Sequence, residues 1–338
     1  MPGWGIRVAT DPSAGAGHVA RCAALARALR AEAVFFVDPD CPDQSPFERN
    51  RWRIVRERRR DDASSALAAL ANAEVGGLVI DSYALPGDTV AAAAASGFTA
   101  VFRDGGARGA EHLTIDIGAA EEAADADVVA GPAYAPLAPC YADARRHTSA
   151  ADREIVDRAS ILIAFGQHDS ANLTAIALAA AGAVEPTPRL TCVLGASAPH
   201  MPAVEALIGS LSDAALLVSP ADMIEIYLVH DLAIGAPGVS QLERMCCGLP
   251  SILMCQSAAQ MPAAKAWQRR QCAELVDIDG PTLTAAASRL IADRARRRAM
   301  RQAGLSLVDG GGARRLAARL ETALALQAAQ SECRRIEP

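Results

Sequence analysis

The sequence predicts an α/β fold of two parallel-sheet domains, and three observations carry that prediction. Short apolar runs of strand length alternate with alanine-rich segments of helical spacing, the order that builds parallel sheets covered by helices on both faces. The alternation starts twice, from Ile6 and again from Ile161, with a polar stretch at residues 143–158 between the two series. The 338 residues exceed what one hydrophobic core ordinarily serves and suit two domains. We therefore expect domains at 1–150 and 151–330. Each is Rossmann-like, and the two face each other across a cleft, where open parallel sheets bind ligands.

In the first series, strands are expected at Ile6–Ala9, Val34–Val37, Gly77–Ile80 and Ala100–Phe102, with weaker runs at Leu113–Ile115 and Val128–Ala130. Helical spacing occupies Val19–Leu29, Ser64–Ala73 and Pro86–Ala95 between them. The second series has strands at Ile161–Phe165, Arg189–Leu194, Ala215–Val218, Leu232–Ile234, Ser251–Met254 and Ala273–Val276. Its helices are expected at Ala171–Ala181, Met201–Leu211, Asp222–Leu228, Ser240–Cys247, Met261–Gln271 and Pro281–Arg298. Gly248-Leu-Pro250 ends one of them before the next strand. Arg314–Gln330 reads as a long terminal helix.

Hydrophobic residues make up 51% of the chain and charged residues 21%, with a net charge of −6. That balance fits a well-buried globular protein and offers no broad basic field to nucleic acid or anionic lipid. The arginine-rich stretches Arg49–Arg60 and Arg294–Arg301 read as solvated surface. Nine cysteines without a CxxC pair match no zinc spacing and suit reduced, buried thiols. No apolar run approaches the ~20 residues that cross a bilayer, and no secretory signal opens the chain. A cytoplasmic protein is expected, with no membrane or nucleic-acid partner and a monomer favoured.

Four constellations can carry chemistry. The first is Thr10–Cys22, where Gly15 and Gly17 let a ligand approach the backbone and His18 stands in the first turn of a helix. A helix N-terminus favours an anion and pushes a histidine toward its neutral form, which suits a general base. The segment Gly15–Ala20 also satisfies G-x-G-x-x-[GA], with Asp38 about twenty residues on, the fingerprint of dinucleotide binding. However, Thr10–Ala14 intervene before the first glycine, where that fold makes an immediate tight turn. A sugar-nucleotide site is the stronger expectation, and a plain capping loop stays open.

The second constellation is Val79-Ile-Asp-Ser-Tyr83, at the carboxyl end of a strand. Asp81 can orient a histidine, bind sugar hydroxyls, or cap the helix after Pro86; Tyr83 can hydrogen-bond the substrate, and Asp104 has a similar place. The third is the loop from Gly166 through Asp169 and Asn172 to Thr174, whose residue types cap helices and leave N–H groups for phosphate. In the fourth, Gly238–Ser240 can approach a pyrophosphate, and Glu243 one turn on can accept from a ribose diol.

In this order, the pieces resemble the UDP-2,4-diacetamido-2,4,6-trideoxy-β-L-altropyranose hydrolases of pseudaminic acid synthesis, which have the GT-B fold. The resemblance rests on Gly15-Ala-Gly-His-Val-Ala-Arg-Cys22, Ile80-Asp-Ser-Tyr83, Ala130-Gly-Pro-Ala-Tyr-Ala-Pro-Leu137, Asp169-Ser-Ala-Asn-Leu-Thr174 and Glu243-Arg-Met-Cys-Cys-Gly-Leu-Pro250. It implies that His18 is the catalytic histidine, with Asp81 and Tyr83 beside it. It further implies substrate contacts from Gly15, Gly17, Arg21, Asp104, Tyr134, Gly166, Asp169, Asn172, Gly238, Ser240, Glu243 and Gln260. No metal or cofactor is implied. Ser82 stands where the family has histidine in Asp-His-Tyr, and Ala259 precedes Gln260 where the family has asparagine.

The function so implied is inverting, metal-independent hydrolysis of a UDP-sugar to free sugar and UDP, in synthesis of a nonulosonic acid for flagellin or surface glycans. Two alternatives are a GT-B glycosyltransferase with a UDP-sugar donor and a sugar-nucleotide-binding protein without catalysis.

Overall fold

The computed structural model of the chain describes residues 3–11, 16–105, 108–119, 125–148 and 158–336. Two compact units emerge, Met1–Ala138 with Gly311–Pro338, and Pro139–Gly310. The divide therefore differs from the one expected at residue 150. The helix at Pro139–Thr148 belongs to the second unit because its Tyr141 and Ala144 are buried there and the Tyr141 carbonyl accepts from Cys246 Sγ at 3.6 Å. The terminal helix returns to the first unit, where Arg315 donates to the Ala133 carbonyl at 2.6 and 2.9 Å.

The first unit runs β1 (Gly3–Val8), α1 (Ala16–Ala28), β2 (Ala33–Val37), α2 (Ser45–Arg49), β3 (Arg53–Arg56), α3 (Ser64–Ala71), β4 (Val75–Asp81), α4 (Gly87–Ser96), β5 (Phe98–Phe102), β6 (Leu113–Asp116) and β7 (Val128–Ala130). Its seven strands lie in the order β3-β2-β1-β4-β5-β6-β7, and every pairing is parallel. The central strands are apolar along their length, with Ile6, Val8, Leu78, Val79 and Ile80 fully buried, as a sheet covered on both faces requires. Strand β3 is missing from the sequence expectation. Only Ile54 and Val55 are apolar there, and the flanking Arg53 and Arg56 are exposed, the charged composition that protects a sheet edge.

The second unit begins with α5 (Pro139–Thr148) and continues β8 (Ser160–Ala164), α6 (Leu173–Gly182), β9 (Arg189–Leu194), α7 (Met201–Ser210), β10 (Ala214–Val218), α8 (Met223–Val229), β11 (Leu232–Gly235), α9 (Val239–Cys246), β12 (Ser251–Leu253), α10 (Met261–Arg269), β13 (Glu274–Leu275), α11 (Gly280–Ala292) and α12 (Arg294–Leu307). The helix α13 (Gly312–Ile336) completes the first unit. The six strands follow β10-β9-β8-β11-β12-β13, again all parallel. Ile161, Ile163, Leu232, Ile234 and Ile252 form the core with Ala177, Leu178 and Leu283 from α6 and α11. The single helix expected over Pro281–Arg298 is two, because the Asp293 carboxylate accepts from the Arg296 N–H at 2.8 Å and so starts α12 as an N-cap. Among the described residues no helix is long and apolar enough to cross a membrane.

In each sheet the strand order reverses once, between β1 and β4 and between β8 and β11. Connections leave such neighbouring strands in opposite directions and open a crevice at their carboxyl ends. The loops that follow these four strands are the four constellations of the sequence.

Candidate active site

Strand β4 ends on Asp81, directly opposite Val8 of β1, and the carboxylate is completely buried. His18 and Arg21 lie three residues apart on α1, hence on one helix face, and both grip it. His18 Nδ1 is 2.6 Å from Asp81 Oδ1; Arg21 places Nη2 2.6 Å from Oδ1 and Nε 2.6 Å from Oδ2. Cys22 Sγ donates to Oδ2 at 3.3 Å. An ionised carboxylate accepts only, so Nδ1 is the nitrogen that carries a proton toward Asp81, and in the neutral ring the lone pair falls on Nε2. Burial pushes the Asp81 carboxyl up, but the Arg21 guanidinium and the His18 ring outweigh it and hold Asp81 well below the usual carboxylate range.

Arg21 also donates through Nη1 to both oxygens of Asp104, at 2.9 and 3.1 Å, and its guanidinium stacks 4.5 Å from the centre of the Phe102 ring. The Tyr83 hydroxyl donates to Asp104. The Tyr83 ring meets the His18 ring edge to face, with centroids 4.9 Å apart. His18 is 7% exposed whereas Tyr83 is 63% exposed, so an accessible phenol flanks a sheltered imidazole. Among the described residues, the buried Ser82 Oγ has no hydrogen-bond partner. The structure thus brings His18, Arg21, Asp81, Tyr83 and Asp104 into one cluster. Gly17 is the second residue of α1, while Gly15 lies outside the described residues.

The dinucleotide reading of Asp38 does not survive the geometry. One oxygen of that buried carboxylate accepts from Arg7 Nη2 at 2.6 Å, and the other takes the N–H groups of Thr10 at 2.6 Å and Asp11 at 3.1 Å. Asp38 fixes the exit of the chain from β1, buried with both oxygens engaged rather than presented to a ribose.

In the second unit, Gly166 follows β8 with φ +95° and open space where a Cβ would stand. Asp169 serves α6. Its Oδ1 accepts from the Leu173 N–H at 3.0 Å and its Oδ2 from the Thr174 N–H at 2.9 Å. Both Asp169 oxygens are thus engaged in capping α6, the role that its residue type also suggested. Asp169→Ala is expected to cost ~1–2 kcal/mol, the range for a lost cap, read as a lower urea midpoint with unchanged slope. Asn172 adopts φ 52° at the start of α6, and its Oδ1, like Thr174 Oγ1, is buried and unpartnered among the described residues. Gln260 Oε1 accepts from the Gln256 N–H at 2.7 Å, and Gln256 Nε2 in turn donates to the Phe165 carbonyl at 3.1 Å. Gln260 thus supports the loop after β8 through Gln256.

Gly238 precedes α9 with open space at its Cβ position, and Ser240 lies in the first turn. Glu243 Oε2 accepts from the Tyr227 hydroxyl at 2.9 Å. Burial raises the Glu243 carboxyl, while the Tyr227 and Tyr141 phenols pull it back down. The carboxylate expected to meet a ribose is already held by phenols. Tyr134 sits in a 3-10 turn at Pro132–Tyr134 of the first unit, which Arg315 pins through the Ala133 carbonyl. Among the described residues no group of three or more His, Cys, Asp or Glu side chains is placed to hold a metal ion.

No family model matches the chain. It is 30% identical over 199 residues to the spore coat polysaccharide biosynthesis protein SpsG of Bacillus subtilis (strain 168), covering 56% of this chain and 57% of that protein. The chain thus spans little more than half the length of its curated relative. Among solved structures, MurG of Acinetobacter baumannii matches with a TM-score of 0.66 at 15% identity, over 95% of this chain and 100% of that one. Anabaena Alr3699/HepE in complex with UDP matches with a TM-score of 0.66 at 12% identity, over 95% and 100%. These likenesses show the fold, two parallel-sheet Rossmann-like domains of the GT-B type.

Proposed function

We propose that the chain is an enzyme of surface-polysaccharide synthesis that transfers the sugar of a UDP-sugar to an oxygen nucleophile, with inversion at the anomeric carbon. The observation that carries this reading is the His18–Asp81 pair, an imidazole whose Nδ1 is held at 2.6 Å by a buried carboxylate. That arrangement leaves Nε2 as a base. A polysaccharide-synthesis relative and a fold neighbour solved with UDP support the donor class.

In the step proposed, Nε2 of His18 takes the proton of the attacking hydroxyl as its oxygen bonds to the anomeric carbon. The bond from that carbon to the diphosphate oxygen breaks, and UDP leaves with the electron pair. Asp81 stabilises the imidazolium that forms, and Arg21 keeps Asp81 ionised so that it can. The exposed Tyr83 hydroxyl oxygen and the half-buried Asp104 carboxylate offer acceptors to sugar hydroxyls. The small-residue loops after β8 and β11, at Gly166 and Gly238, receive the nucleotide, with the uncapped N-terminus of α9 facing its diphosphate.

The acceptor favoured is the hydroxyl of a glycan, lipid or protein, which makes the chain a glycosyltransferase; the polysaccharide-synthesis relative supports it. Water is the second reading. It is favoured by the run Gly15–Cys22 and makes the chain a hydrolase releasing a 2,4-diacetamido-2,4,6-trideoxyhexose. Phosphorus NMR of the protein with a UDP-sugar tests both. UDP that accumulates only when an acceptor is added supports transfer, and UDP released in water alone supports hydrolysis. No release under either condition overturns the enzymatic reading.

A further inference from the structure

Beneath the loop that follows β11 lies a cation with an unusual set of partners. Arg244 of α9 is 0% exposed. It donates from Nη2 to the Ala236 carbonyl at 2.9 Å, from Nη1 to Ser240 Oγ at 3.5 Å, and from Nε to Gln241 Oε1 at 3.0 Å and Ser251 Oγ at 3.1 Å. All four acceptors are neutral. The adjacent carboxylate, Glu243, is turned to the Tyr227 hydroxyl, and no described residue forms a salt bridge with Arg244. Burial pushes the guanidinium down from its ordinary range, and the nearby Tyr227 and Glu243 groups offset that only in part, as expected for a charge removed from water. The neighbouring Gln241 is also completely buried, and its Nε2 has no partner among the described residues.

Glycine at 235 is part of this arrangement. A Cβ there would stand 2.7 Å from Arg244 Nη1 and 2.3 Å from the Ala164 carbonyl oxygen, so only glycine lets the guanidinium lie under the end of β11. From that place Arg244 ties Ala236 to Ser240 and sets the shape of the turn that carries Gly238. A buried charge acts through a medium of low effective dielectric and is felt beyond contact distance. A buried cation whose hydrogen-bond acceptors are all neutral is costly, and an anion bound at the turn would lower that cost.

We propose that Arg244 is a positioning residue for the diphosphate: it fixes the Ala236–Ser240 turn and supplies, from beneath it, the positive charge that makes this loop select a nucleoside diphosphate over an uncharged nucleoside. The inference rests on the UDP-sugar reading above and goes beyond it by assigning charge discrimination to a residue that touches no ligand.

Calorimetric titration of UDP and of uridine into the full chain, and into Arg244→Met and Arg244→Lys, tests it. The methionine variant is expected to bind UDP about tenfold more weakly, the loss of one buried charge acting across several ångströms. Its affinity for uridine should stay within about twofold of the parent, because uridine carries no charge for Arg244 to meet. Lysine keeps the charge but not the planar fork, and should recover most of the UDP affinity. Equal UDP affinity in the parent and the methionine variant overturns the proposal, and so does an equal loss for UDP and uridine, which marks a purely structural role. If neither variant folds, Arg244 belongs to the core alone and the proposal falls. A parent that binds no UDP removes the UDP-sugar reading itself, an outcome separate from the others.

Discussion

His18→Ala is expected to lower kcat by ~10²–10⁴-fold, the usual contribution of a positioned general base, while the dissociation constant for UDP stays within about twofold of the parent. The split follows from where the residue sits. Its imidazole belongs to the Asp81 cluster of the first unit, whereas the loops assigned to the nucleotide belong to the second. Single-turnover kinetics on a UDP-sugar, with UDP binding measured in parallel, checks it. Unchanged turnover would remove His18 from the mechanism, and a large loss of UDP binding would recast it as a ligand contact. The low exposure of the ring makes some loss of stability expected too, so the comparison requires a temperature at which both proteins are folded.

Asp81→Ala is expected to be the most destabilising single change in the first unit. The carboxylate is fully buried and takes four donors, from His18, Arg21 twice and Cys22. Its removal strands a buried guanidinium, a loss that ordinarily costs ~3–5 kcal/mol. Arg21 keeps its two bonds to Asp104, which places the expectation near the lower end, at ~3 kcal/mol. The pH dependence has a definite sign. Because the folded state holds the Asp81 carboxyl below its ordinary value, the stabilisation is present in full above the unfolded value of about 3.9. It is lost as pH falls from there toward the depressed folded value. The gap in urea midpoint between the parent and Asp81→Asn should therefore be constant near neutral pH and narrow in acid below about pH 4. A gap that widens in acid would contradict the assignment.

Much of the fold was legible because its signals are local. Each of the twelve strands expected lies on an observed one, since buried parallel strands are nearly uninterrupted runs such as Ile161–Ala164. The strand missed, Arg53–Arg56, is an edge whose two apolar residues are hidden between arginines. The helices α2 and α5 were missed for lack of length or apolar periodicity: Ser45–Arg49 is barely a turn, and Pro139–Thr148 is mostly polar. The return of residues 311–336 to the first unit depends on long-range packing that no local pattern encodes.

The site divides along the same line. That a histidine, an aspartate and an aromatic stand at loop ends was evident from spacing. Their convergence needs the parallel pairing of β1 with β4, which brings residues 18 and 81 together. The linking role of Arg21 was not anticipated, since the resemblance implied only a substrate contact there, although its spacing of three from His18 on a helix was a usable signal. For Asp169, residue type suggested a helix cap and the resemblance a substrate contact; the Leu173 and Thr174 N–H groups show the cap. Glu243, expected to accept from a ribose diol, accepts from the Tyr227 hydroxyl. Arg244 gave no signal, because an arginine next to a glutamate on a short helix looks like ordinary surface.

The discontinuous make-up of the first unit bears on how the chain matures. Residues 139–310 form one uninterrupted stretch, so every contact within that unit is available once residue 310 has been synthesised. The first unit is interrupted. Its α1, which carries His18, is lined by α13, and Glu321 of α13 accepts from the Arg30 N–H at 3.0 Å just beyond the end of α1. The flank of α1 is therefore covered only after the whole intervening stretch has been synthesised, and protease trimming back to residue 310 would uncover it.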